Sequence, residues 1–222
     1  MKTIGIIGGM SFESTITYYK TINQAINDKL KSLNSAKILL YSVNFEEIEN
    51  LQSQDKWQEA AQILTQCAKK LELAGANFII IATNTMHKVF DEIQQNINIP
   101  ILHIAKSSAK ALKQENIQKI GLLGTKYTMT QDFYKKMLIE ENISVIIPSD
   151  EDIKIVNDII FNELCKGEIK QESKEKYLNI IKKLQEKGAI GLLISKNDTN
   201  IKIFDTSLIH ALDAANEALK DL

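Results

Sequence analysis

Four short segments of this chain place glycine, hydroxyl and amide groups where an apolar run gives way to a helical pattern. The first is Gly8-Gly9-Met10-Ser11. Glycines there let backbone approach a ligand, and the amino end of the following helix favours an anion. A tight turn with Ser11 as helix cap accounts for the same residues. The second is Thr83-Asn84-Thr85-Met86-His87, which comes after the apolar Phe78-Ile79-Ile80-Ile81. Three hydrogen-bonding side chains in a row exceed what packing requires, so ligand contact is preferred over helix capping. His87 stands one turn behind them as a supporting residue. The third segment is Gly124-Thr125 with Thr128; the fourth is Phe204-Asp205-Thr206-Ser207, where Asp205 either orients a partner or caps the last helix, the cap being preferred. Lys166, just before Gly167, either binds a carboxylate or complements a helix dipole.

The thiols offer a second line of chemistry. Cys67 and Cys165 are the only two cysteines, with no CxxC and no Cys/His spacing for zinc, so no metal site is expected. Two free thiols fit a reducing compartment, and they are also what a two-base enzyme needs. Cys67, inside a helical pattern, reads as a core or edge thiol. The chain has no arginine: all 27 of its Lys+Arg residues are lysine. An anionic substrate must therefore be held by lysine, hydroxyls or backbone N–H groups. A net charge of −1 argues against a nucleic-acid partner. The apolar run at the N-terminus is too short for a signal segment, and none approaches a membrane span. A cytoplasmic location without membrane partners is expected.

Two series of apolar runs position these segments. Thr3–Gly9, Lys37–Val43, Asn77–Thr83 and Ile99–Ile104 form one; Lys119–Thr125, Ser144–Pro148, Ala189–Ser195 and Ile201–Thr206 form the other. Continuous Ile/Leu/Val runs are the pattern of parallel strands covered on both faces. Helical patterns alternate with them, including Phe12–Leu30, Asp55–Leu73 (with Ser53 as cap and Gly75 as stop), Glu151–Lys166 and Ser207–Leu222. Thr3-Ile4-Gly5-Ile6-Ile7-Gly8-Gly9 is echoed by Lys119-Ile120-Gly121-Leu122-Leu123-Gly124-Thr125. The expected fold is α/β: two pseudo-symmetric lobes, each with a mainly parallel four-stranded sheet flanked by helices. The expected boundaries are residues 1–105 plus 207–222, and 106–206.

Gly8 to Thr15, Thr83 to Lys88, Leu123-Gly124-Thr125 and Phe204-Asp205-Thr206 resemble the cofactor-independent aspartate/glutamate racemase family over nearly the whole chain. Phe12 stands where the family usually has tryptophan. The resemblance implies a ligand cleft between the lobes, a homodimer, a small acidic amino acid as substrate and no cofactor. It implies removal of the α-proton and its return from the opposite face, with the carbanion stabilised by donors fixed around the carboxylate. It puts Thr83 at one acid/base position, and Met10, Ser11, Gln52, Asn84, Thr85, Thr125 and Lys166 among the substrate-binding positions.

Two departures matter. The family has a C-N-T-x-H pattern where this chain has Thr83, although a T-N-T-M-H subfamily shares the threonine. A hydroxyl is a poor base unless assisted, so exchange should become directional. The family's second segment, G-C-T-E, is absent from Gly188-Ala189-Ile190-Gly191-Leu192-Leu193-Ile194-Ser195-Lys196-Asn197-Asp198. Aligned without a gap, Lys196 replaces the cysteine and Asp198 the glutamate. Aligned with a loss of roughly nine residues after Gly191, Leu192 onward matches the family's Leu-Leu-Ile stretch beyond G-C-T-E; this keeps the spacing to Phe204-Asp205-Thr206 and is preferred. The expectation is racemase chemistry that is impaired or lost, with Lys196 as the available second base. The alternative is a non-catalytic protein that binds acidic amino acids or dicarboxylates.

Overall fold

The computed structural model of the protein describes residues 1–194, 202–220 and 222. Its contacts divide them into one unit of Met1–Ile104 with His210–Leu222 and another of Ala105–Ile209.

The first unit is built on a parallel sheet of β1 (Ile4–Gly8), β2 (Ile38–Ser42), β3 (Phe78–Ile81) and β4 (Ile101–Leu102), in the order β2-β1-β3-β4. Every residue of β1 and β3 is buried, which is why both read as unbroken apolar runs. Helices cover both faces. On one, Ile7, Ile79 and Ile81 meet Leu64, Ala68 and Leu71 of α3 (Trp57–Leu73). On the other, Ile4, Ile6 and Ile80 meet Tyr18, Ile22 and Ile26 of α1 (Phe12–Leu30) and the alanines of α10 (Thr206–Leu219). Ala211, Ala214, Ala215 and Ala218 let α10 lie close against the sheet.

The second unit repeats the plan. Its strands β5 (Lys119–Leu122), β6 (Ser144–Ile146), β7 (Gly191–Ile194) and β8 (Ile203–Asp205) are parallel in the order β6-β5-β7-β8. The registers correspond as well. Ile4 pairs with Phe78, and Ile120, its counterpart in the sequence echo, pairs with Gly191. Counting along, Ile81 of β3 and Ile194 of β7 are equivalent positions. Leu192 to Ile194 therefore form a buried central strand. The core packs Leu192 and Ile194 against Ile153 and Val156 of α8 (Asp150–Asn162) and Ile180, Ile181 and Leu184 of α9 (Gln171–Glu186).

Several boundaries differ from those read in the sequence. Ser53 does not cap a helix from Asp55. It closes α2 (Phe45–Ser53), its hydroxyl donating to the Asn50 carbonyl at 3.2 Å, and α3 begins only at Trp57. Asp55 between them has a left-handed φ of 57°. The helix read as Glu151–Lys166 ends at Asn162; Leu164–Lys166 is a separate 3-10 turn stopped by left-handed Gly167. Gly75 comes after α3 with φ +94°, as a stop should.

Candidate active site

In the first unit the carboxyl ends of β1 and β3 lie side by side, joined by the Ala82 N–H donating to the Ile7 carbonyl at 2.9 Å. Ligands of parallel sheets gather at this end. The β1 end carries Gly9-Met10-Ser11 and the β3 end carries Thr83-Asn84-Thr85.

The glycine turn is closed by a side chain from one turn into α1. Thr15 Oγ1 accepts from the Gly9 N–H at 2.8 Å and donates to the Ser11 carbonyl at 3.0 Å. A Cβ on Gly8 would stand 2.5 Å from Thr15 Cγ2, so this approach needs glycine. Gly9 is more constrained: its φ is +93°, and a Cβ would meet the Val43 carbonyl oxygen at 2.3 Å. The Met10–Ser11 peptide is cis. Ser11 occupies the N-cap of α1 without using its hydroxyl as a cap, which leaves the simple capping account incomplete. Met10 packs its side chain in the core.

Gly75 gives a control for Gly9. It too is left-handed, at φ +94°, but nothing stands within 4 Å of its would-be Cβ. Gly75→Ala is expected to cost about 1 kcal/mol, from backbone strain alone. Gly9→Ala adds a collision with backbone and is expected to cost about 3 kcal/mol or more. Urea unfolding of both variants checks this; equal losses would show that the Val43 contact has no energetic weight.

Thr83 and Asn84 are half-buried and Thr85 is buried. The Thr83 N–H donates to the Ile81 carbonyl at 2.8 Å, turning the chain sharply out of β3. Thr85–Val89 then form a 3-10 turn, for which Asn84 gives no side-chain cap. Gln52 comes from the inner face of α2. It is buried, and its Nε2 donates to Met86 Sδ at 2.9 Å, beneath the Thr83 segment.

Behind this segment lie all three histidines of the chain, each buried. The His87 ring is centred 4.6 Å from His103 and 5.9 Å from His210. Burial, reinforced by the two neighbouring rings, holds His87 well below the usual imidazole range. Burial likewise pushes His210 down to about 4, against the opposing pull of Asp213. The Leu102 carbonyl can only accept, so His210 donates from Nε2 at 2.9 Å and its Nδ1 accepts from Tyr18 at 3.0 Å. Sequence reasoning gives His103 and His210 no role, because nothing in their spacing brings them to His87. Among the described residues, no group of His, Cys, Asp and Glu is arranged to hold a metal ion.

The second unit carries the remaining candidates. Thr125 caps α6 (Lys126–Thr130), accepting from the Thr128 N–H at 3.3 Å, and the two threonine hydroxyls lie 3.2 Å apart. Lys166 is exposed on the 3-10 turn after α8. Asp205 caps α10, accepting from the Ser207 and Leu208 N–H groups at 2.8 and 3.1 Å, as its sequence position suggests. Lys196 lies outside the described residues. Neither cysteine is at a strand end: Cys67 is buried in α3, where burial raises its pKa, and Cys165 is half-buried in the 3-10 turn. No helix among the described residues is long and apolar enough to cross a membrane.

Comparison with known proteins agrees with this architecture. Residues 7–195 match the profile of the Asp/Glu/hydantoin racemase family. The crystal structure of a candidate Asp/Glu racemase from Yersinia pestis is 48% identical and superposes with a TM-score of 0.89, covering 99% of this chain and 100% of that one. The crystal structure of PH1733, an aspartate racemase homologue from Pyrococcus horikoshii OT3, is 37% identical with a TM-score of 0.83 over 99% of this chain and 100% of that one. The broad specificity amino-acid racemase RacX of Bacillus subtilis (strain 168) is 29% identical over 164 residues, which are 71% of this chain and 69% of that protein.

Proposed function

We propose, because this chain belongs to the Asp/Glu/hydantoin racemase family, that it binds a small acidic amino acid and exchanges its α-proton using side chains alone. The observation that carries this reading is the intact carboxyl edge of the first sheet. The glycine turn with Ser11 and the Thr83-Asn84-Thr85 segment leave neighbouring strands there, the first closed by the Thr15 hydroxyl and the second by the Thr83 N–H bond to Ile81. Met10, Ser11, Gln52, Asn84 and Thr85 are assigned to the substrate. In the second unit, Thr125 and Lys166 are assigned to its carboxylates.

Thr83 is the acid/base group for one face of the α-carbon. For the other face, position along the chain supports Lys196. It comes two residues after Ile194, as Thr83 comes two after Ile81, and the registers of β7 and β3 correspond. That count favours the alignment without a gap. A lysine amine and a threonine hydroxyl both hold their protons more tightly than a thiol, so exchange is expected to be slower than a two-thiol site would give.

The test is α-proton exchange of L- and D-aspartate and L- and D-glutamate in D₂O, monitored by proton NMR. Exchange of at least one of the four, faster for one enantiomer, is expected. No exchange from any of them sinks the catalytic reading. The absence of a thiol at either strand end favours one second reading, a binder without turnover. In that case the same amino acids raise the melting temperature while their α-protons stay in place. Pairing of two copies and a cytoplasmic location belong to the proposal as well, and sedimentation at micromolar concentration tests the first.

A further inference from the structure

Both nitrogens of His87 are committed to backbone. The Ile104 N–H can only donate, so Nε2, at 3.2 Å from it, is the acceptor. Nδ1 therefore carries the proton and donates to the Thr83 carbonyl at 2.8 Å. The ring thus ties the chain leaving β3 to the first residue of α5 (Ile104–Gln114). Residue 83 is held twice, by this bond to its carbonyl and by the bond from its own N–H to Ile81.

The consequence lies in the next peptide. In a trans peptide the N–H points opposite to the C=O. Turning the Thr83 carbonyl toward His87 turns the Asn84 N–H the other way. The ring itself is 2% exposed and enclosed by Phe90, His103 and His210, so it reaches a ligand only through the groups it holds.

We propose that His87 is a positioning residue for the Thr83 site: its two hydrogen bonds set the orientation of the Thr83–Asn84 peptide, and with it the aim of the Thr83 hydroxyl and the Asn84 amide at the substrate. This role rests on the reading of Thr83 as an acid/base group. The depressed pKa of the ring agrees with it, because a neutral imidazole is needed to donate from Nδ1 while accepting at Nε2.

Two substitutions separate the bonds. Asparagine places its amide where Nδ1 stands and keeps the bond to Thr83; glutamine reaches the Nε2 position and keeps the bond from Ile104. His87→Asn is expected to retain the ¹H–¹⁵N amide shifts of Asn84 and Thr85 and to exchange substrate within about threefold of the parent rate. His87→Gln is expected to move those shifts and to lower kcat by roughly 10- to 100-fold, with KM little changed and a melting temperature no lower than that of His87→Asn. Equal shifts in the two variants, or the larger perturbation in His87→Asn, overturn the proposal. A purely structural peg would make loss of rate track loss of stability in both. Where a variant does not fold, the long-range ¹H–¹⁵N spectrum of the parent ring at pH 7.5 decides: an Nδ1–H tautomer is expected, and an Nε2–H tautomer overturns the proposal. A parent that exchanges no substrate would sink the functional reading, while the amide shifts still decide the role of His87.

Discussion

Replacing Thr83 by alanine is expected to lower α-proton exchange of aspartate and glutamate by about 10²- to 10⁴-fold, the usual worth of a positioned acid/base group. The frame around the residue should survive the change. Its N–H is bonded to Ile81 and its carbonyl to His87, and neither bond uses the hydroxyl. Thr83 is half-buried, so unfolding free energy should stay within about 1 kcal/mol of the parent. Thr83→Cys is the complementary experiment. A thiol loses its proton near an ordinary pKa of about 8.5, whereas a hydroxyl needs a base beside it. Exchange from the Thr83 face should therefore rise by about tenfold or more in the cysteine variant. Because that face serves one enantiomer, the ratio of L to D exchange should move as well. An alanine variant that exchanges at the parent rate would remove Thr83 from the mechanism.

The parts of this site that are legible in the sequence are those whose physics is local. Phe78-Ile79-Ile80-Ile81 announces a strand covered on both faces because four consecutive buried apolar residues suit few other places. Thr83-Asn84-Thr85 stands out by contrast with it. Asp205 can be assigned as a cap because its partners, Ser207 and Leu208, are two and three residues away. The segment Phe45–Ser53 is harder. Its inner face carries Phe45, Ile48 and Gln52, and the buried glutamine breaks the apolar period that would mark a helix. Ser53 then reads as the start of the next element. The histidine group is not legible at all. His87, His103 and His210 come from three separate parts of the chain, and only the packing of α10 on the first sheet brings the last of them to the others.

That group has the second large expected effect: stability should fall as the pH drops from about 6.5 toward 4. His210 is neutral in the folded protein, with its pKa pushed down to about 4 by burial. In the unfolded chain it titrates near 6.5. Between these values the unfolded chain binds a proton at this position that the folded chain does not, so stability declines with falling pH and levels off below the folded pKa. One ring moved from about 6.5 to about 4 corresponds to about 3 kcal/mol across the window, of which about 2 kcal/mol is gone by about pH 5. His87 is displaced in the same direction and adds to the loss. Placing a proton on one ring also opposes a proton on the other, since their centres are 5.9 Å apart. Asp213 pulls His210 the opposite way but is outweighed. Carboxylates cannot imitate the upper part of this profile. Glu172 and Glu217 have lowered pKa values, so their contribution is present above the ordinary range near 4.5 and is lost only below it. A loss that begins near pH 6.5 belongs to the buried imidazoles. Urea unfolding at half-unit intervals from pH 7.5 to 4.5 measures it, and His210→Gln should flatten the upper part of the curve. A stability that is level from pH 7 to 5, or a His210 ring that titrates near 6.5 in the folded protein, would show that these rings are not held neutral by their burial.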